Sequence, residues 1–187
     1  MNGDRTRKEF LVQSISGAVA LGLLGTGRPA GQAYAQGKPS EPLQVLSEDQ
    51  AAVYDAWCDV LVIGASQAGV TRFVDKYLAS PYAETLLFLK YFENVPLDAF
   101  YLLGIAGINE ESNAQYAKSF LALTDEERRS IVEAAATSST RVWRDPDPSL
   151  FYFVSRADAV DVVYGTVAGF RSLGVSYLAH IRPPYPW

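Results

Sequence analysis

The part of this chain whose residue types could hold a cofactor is Gly64-Ala65-Ser66-Gln67-Ala68-Gly69, which follows the apolar run Val60-Leu61-Val62-Ile63. A strand that ends in a glycine-rich turn and opens a helix is how flavin and nicotinamide dinucleotides are held. One glycine makes the turn, the next lets the backbone reach the pyrophosphate, and the helix N-terminus faces the phosphates. The apolar run 85–92 would then supply the next strand, with Glu93 near the place of a ribose-binding acid. Three features oppose this reading. Ser66 stands where the second glycine belongs, the apolar run continues backward through Trp57 and Tyr54 into a helical face, and nothing beyond residue 93 supplies further β-α-β units. The competing reading is a helix end and turn, with Gly64 as the stop and Gly69 at the start of the next helix.

The remaining chemistry-bearing residues are few. Asp158 and Asp161, three apart on one helix face, are compatible with a metal pair or an acid/base pair, or with a solvated face beside Arg156. His180, the only histidine, is the one residue that could serve a Ser-His-Asp triad. It lies in a proline-rich tail with no nucleophile elbow in the chain, which favours packing or partner contact. Cys58 sits on an apolar face beside Trp57 and reads as a small buried hydrophobe. No constellation here amounts to an active site, so catalytic, cofactor-binding and metal-binding residues are all expected to be absent from this chain.

The elements that would position these residues read as helices. Ser47 with Gln50 makes a capping-box pattern, and Tyr54, Trp57, Cys58 and Leu61 follow on one face, predicting a helix from Glu48 to about Val62. Val70, Phe73, Val74, Tyr77 and Leu78 predict a second helix, stopped by Ser80-Pro81. Residues 83–92 are apolar on every side and fit either a buried helix or a buried strand. From Leu97, the residues Phe100, Tyr101, Gly104, Ile105 and Ile108 line one face, which Tyr116 and Phe120 can extend. Thr124 with Glu127 opens another helix with Ile131, Val132 and Ala135 inward, and a last helix runs from Ser149 to about Tyr164. The fold class expected is all-α, five or six helices over residues 47–168, with a flexible lead-in over 36–46 and an extended aromatic and proline-rich tail over 169–187.

Composition agrees with one small domain. The chain has 187 residues, 49% hydrophobic and 20% charged, with 16 basic and 21 acidic side chains and a net charge of -5. An acidic balance opposes nucleic-acid binding, which needs a basic patch. One cysteine excludes an intramolecular disulfide, a cysteine-ligated iron–sulfur cluster and c-type haem attachment.

Residues 1–35 read as an export signal: a basic start at Arg5, Arg7 and Lys8, a weakly apolar run from Phe10 to Leu24, and Ala33-Tyr34-Ala35 as the cleavage pattern. Thr6-Arg7-Lys8-Glu9-Phe10-Leu11 follows the twin-arginine order, with Lys8 in place of the second arginine. The apolar run is too short for a stable span, so no membrane anchor is expected after signal removal. That route exports folded proteins, often ones already carrying a cofactor.

The tail is the most suggestive segment. Phe170, Tyr177, Tyr185 and Trp187 alternate with Pro183, Pro184 and Pro186 after the last helix. Stiff prolines and large aromatics suit docking on another protein, the alternative being a tail folded over its own domain.

The signal, the helical body, Phe151-Tyr152-Phe153, the run from Asp158 to Thr166, Gly169-Phe170, Leu173-Gly174 and the closing His180-Ile181-Arg182-Pro183-Pro184 together resemble the gluconate 2-dehydrogenase subunit 3 family. The resemblance spans most of residues 47–187. It implies a small, non-catalytic subunit of a periplasmic dehydrogenase complex that is membrane-associated through its partners. In such complexes the large subunit is a glucose-methanol-choline type flavoprotein that binds FAD and oxidises a sugar, sugar acid or related alcohol, and a cytochrome c subunit often accepts the electrons. The small subunit carries the twin-arginine signal and supports the folding and export of the large one. On this reading the export residues are Arg7, Lys8, Phe10, Leu11, Ala33 and Ala35. The partner-facing residues are Tyr164, Phe170, Tyr177, His180, Tyr185 and Trp187. An autonomous flavin- or NAD-binding oxidoreductase using the loop from Gly64 to Gly69 is the alternative.

Overall fold

The computed structural model describes residues 42–92 and 95–176. The export-signal residues and Tyr177, His180, Tyr185 and Trp187 lie outside the described residues. Seven α-helices and no strand form among those described: α1 Glu48–Leu61, α2 Ala65–Ala68, α3 Val70–Leu78, α4 Leu97–Tyr116, α5 Asp125–Ala136, α6 Pro148–Tyr164 and α7 Val167–Ser172. The all-α class expected from the sequence is the class observed. The two helices beyond the expected count, α2 and α7, are of four and six residues, too short to leave a periodic signature.

The helix starts are set by side-chain caps. At α1 the Ser47 hydroxyl accepts from the Gln50 amide (3.2 Å) and Gln50 Oε1 accepts from the Ser47 amide (2.9 Å). Glu48 and Asp49 add negative charge to the first turn, where the helix dipole favours it. At α5, Thr124 and Glu127 make the same reciprocal pair, and at α6 the Asp147 carboxylate accepts from the Leu150 amide ahead of Pro148.

Helices α1 and α6 are the hubs: α1 packs on α2 to α6, and α6 packs on every other helix. Between them lies an aromatic core of Trp57, Trp143, Phe120, Phe151, Tyr54 and Tyr101, each at most 1% exposed. Trp57 and Trp143 meet edge to face with centroids 6.0 Å apart, and Phe151 touches both. Rings this large fit because α4 is notched. A Cβ on Gly104 would lie 2.0 Å from the Phe151 ring, and one on Gly107 would lie 2.4 Å from Trp143 Nε1.

Three expectations change. Residues 83–92 are neither helix nor strand but two 3₁₀ turns, Tyr82–Glu84 and Phe88–Tyr91, joined by an extended stretch. Thr85, Leu87 and Leu89 point inward while Leu86 and Tyr91 point out. Neither a periodic helix nor a paired strand satisfies the backbone here. Side chains do so instead: the Lys90 ammonium donates to the carbonyls of Ala83 and Thr85. The lead-in is pinned at its end, since Asp75 on α3 accepts from the amides of Gln44, Val45 and Leu46 and Leu46 is buried. The tail does not begin extended. Thr166 caps Gly169, and α7 carries helix on to Ser172, because Gly169 lets this short helix fold tightly against the end of α6, where a Cβ would meet Tyr164 Cα at 2.6 Å.

Candidate functional site

The glycine loop is where the dinucleotide reading stands or falls. Val60 and Leu61 are the last residues of α1, Val62 leaves the helix, and Gly64 turns with φ +83° directly into α2, which Gly69 ends with φ +86°. Both glycines therefore perform the helix-stop role, at a backbone conformation that L side chains rarely adopt. No strand precedes the loop, so the amides are not aimed as a strand–turn–helix aims them. Ser66 is committed locally: its amide donates to Asp59 Oδ1 (2.9 Å) and its hydroxyl to Asp59 Oδ2 (2.5 Å). Glycine spacing alone resembled a phosphate loop because the same residue stops helices and makes tight turns.

The aspartate pair separates. Asp161 is exposed, while Asp158 is fully buried. Asp158 accepts from the Tyr101 hydroxyl on α4 and from the Phe88 amide (3.1 Å). It is neither a solvated face nor half of a metal pair, and the reason lies 57 residues away: Tyr101 brings the partner that lets a carboxyl enter the core. Burial pushes Asp158 up to about 7, against the opposing pull of the Tyr101 and Phe88 donors, with the nearby Asp161 adding to the rise. Burial raises Asp161 as well. Among the described residues no group of three or more His, Cys, Asp or Glu could hold a metal ion.

Cys58 is buried and unpaired in a disulfide, as its place on the apolar face of α1 foretells. Burial raises its thiol well above the usual value, outweighing the hydrogen bond with Tyr54, and neighbouring Asp158, Asp55 and Asp59 raise it further. A thiol held neutral in this way is a poor nucleophile.

The sequence reading missed two carboxylates that work like Asp158. Asp75 holds the lead-in, and Glu111 on α4, fully buried, accepts from the amides of Arg141 (2.7 Å), Val142 (2.9 Å) and Trp143 (3.2 Å) and from Gln115 Nε2 (2.7 Å). Burial acts to raise Glu111, but the amide donors and Gln115 outweigh it and hold its carboxyl below the ordinary range. Asp75, Glu111 and Asp158 each reach from a helix to fix a segment outside the α-helices. That is structural chemistry, and it occupies most of the buried acid in the described residues.

The outward surface is of another kind. Tyr82, Leu86 and Tyr91 are 56%, 61% and 79% exposed, and beside them on α6 Phe153 and Val160 are 42% and 40% exposed. Phe88 joins the two parts, with its ring 5.5 Å from Phe153 and 5.8 Å from Tyr91. Contiguous apolar surface of this kind marks interaction sites. The sequence concealed it within a run that reads as uniformly buried. Of the expected partner-facing residues, Tyr164 and Phe170 are half-buried on either side of the turn from α6 to α7. No helix among the described residues is long and apolar enough to cross a membrane.

No curated protein and no solved structure matches the chain. Residues 48–179, from the first residue of α1 to just past α7, match the family model described as gluconate 2-dehydrogenase subunit 3. That match covers more than two thirds of the sequence and includes every helix described above, and the chain therefore belongs to the gluconate 2-dehydrogenase subunit 3 family.

Proposed function

We propose that this chain is the non-catalytic small subunit of a periplasmic dehydrogenase complex, which it joins by binding a large FAD-dependent flavoprotein of the glucose-methanol-choline type. The observation that carries the reading is the family match, because the family is described as a subunit of gluconate 2-dehydrogenase, a multi-subunit oxidoreductase. The site geometry supports it: the buried carboxylates serve as loop anchors, Cys58 is sealed in the core, and the glycine loop is a pair of helix boundaries. The FAD belongs to the large subunit in this account, and a cytochrome c subunit takes up the electrons. The signal, through Arg7, Lys8, Phe10 and Leu11 with cleavage after Ala33-Tyr34-Ala35, carries the folded pair to the periplasm.

Binding to the large subunit uses Tyr164, Phe170, Tyr177, His180, Tyr185 and Trp187. The test is co-purification of the large flavoprotein with the full chain and with a chain lacking Leu178 to Trp187. Truncating an aromatic anchor at an interface centre costs about 2 kcal/mol or more, or roughly thirtyfold in affinity. The shortened chain is expected to lose the flavoprotein with its circular dichroism unchanged, since every described helix ends by Ser172. Retention of the flavoprotein at unchanged affinity would remove the tail from the interface.

A further inference from the structure

Asp158 lies at the junction of α6, α4 and the segment containing Phe88–Tyr91, and the groups facing it give its charge nothing to pair with. From α4 comes the Tyr101 hydroxyl, from α1 come Tyr54 and Cys58, and from its own helix comes Asp161. Burial raises Tyr54, Tyr101 and Cys58 well above their usual values, with Asp158 itself contributing in each case, so all three stay neutral. From the facing segment comes the Phe88 amide, while Lys90, the cation of that segment, is directed to the carbonyls of Ala83 and Thr85. A carboxyl so placed is accommodated best when neutral. Its carbonyl oxygen then still accepts from the Phe88 N–H, and its O–H can turn to donate to the Tyr101 oxygen.

We propose that Asp158 is a proton-operated latch: neutral, it holds the segment Thr85–Phe92 against α4 and α6, and ionised, it favours release of that segment together with the outward face of Tyr82, Leu86 and Tyr91. The segment is suited to local opening because it contains no α-helix. Its hold on the core rests on Thr85, Leu87 and Leu89 together with this one carboxyl. Opening hydrates the carboxyl, which then gives its proton to water. A hydrated aspartate titrates near ~4, and the buried one near about 7. Between those values the open form holds fewer protons than the closed form. The opening equilibrium therefore rises by up to about tenfold per pH unit and levels off above about pH 7.

Hydrogen exchange of the full chain, corrected for the intrinsic pH dependence of exchange, tests this directly. The probes are the bonded amides of Phe88, Lys90 and Phe92, compared with the amides of α1. The expected result is that the segment opens more readily than α1, with an opening equilibrium that climbs from about pH 5 to about pH 7 and then flattens. Asp158→Asn should flatten the whole profile, and Asp161→Asn should leave its shape in place. Tyr101→Phe, which removes a donor to the charged form, should move the flattening to higher pH, and it serves as the test if Asp158→Asn fails to fold. Three results would overturn the latch: segment protection indifferent to pH, protection equal to that of α1, or a Tyr101→Phe profile identical to the parent.

Discussion

Replacing Glu111 with alanine tests the claim that buried carboxylates hold the segments between helices. The substitution strands four donors: the amides of Arg141, Val142 and Trp143 and the side-chain amide of Gln115. A buried donor left without a partner costs about 1–3 kcal/mol, so three stranded backbone amides would set a ceiling near 9 kcal/mol. Burial lowers that figure. Arg141 is exposed and Val142 is 49% exposed, so water reaches their amides once the carboxylate is gone, whereas Trp143 is 1% exposed and its amide stays dry. The expected loss is therefore about 2–4 kcal/mol, dominated by Trp143 and by displacement of its ring from the notch at Gly107. The assay is urea unfolding followed by tryptophan fluorescence and circular dichroism, whose transitions should coincide. pH supplies a second arm. The folded value of Glu111 lies below its ordinary one, so its contribution is complete above the ordinary carboxylate value of about 4.3 and is lost as pH falls through the folded value. Alanine should remove that part of the acid limb. A loss under about 1 kcal/mol with an unchanged acid limb would refute the reasoning, because the segment would then be held by Trp143 packing alone.

Gly104→Ala places a methyl 2.0 Å from the Phe151 ring, and because Phe151 is walled in by Trp57, Trp143 and Phe100 the helix must move, lowering thermal stability by about 1–3 kcal/mol or more. Ser155→Ala removes the acceptor 2.9 Å from Trp57 Nε1 and should cost about 1–3 kcal/mol in urea unfolding, with Ser155→Thr recovering part of it. Arg7 and Lys8 changed together to alanine should leave both this chain and the large flavoprotein in the cytoplasm on fractionation; periplasmic flavoprotein activity in that strain would mean that the large subunit is exported by itself.

What the sequence revealed and what it hid divide along a physical line. Local signals were readable: Ser47 with Gln50 and Thr124 with Glu127 place helix starts to the residue, and the inward faces of α1, α4 and α5 follow from spacing. Signals that depend on distant partners were not. Asp158 looks like half of a surface pair until Tyr101 is brought to it, and Glu111 lies in a stretch that reads as polar until the amides of 141–143 fold over it. Residues 83–92 misled for a related reason. Apolar composition signals burial, but only every second residue there is buried, and the outward ones form the exposed aromatic face. The glycine loop was legible as punctuation, and the missing strand before it was decided by α1 continuing through Val60 and Leu61.

The most direct test of the central claim is to purify this chain alone and together with the large flavoprotein, and to measure bound flavin by absorbance and sugar-acid oxidation with an artificial electron acceptor. The account predicts a colourless, inactive chain alone, and a stable complex in which flavin and activity follow the large subunit. Stoichiometric flavin on the isolated chain, or sugar-acid oxidation by it without the large subunit, would contradict the account.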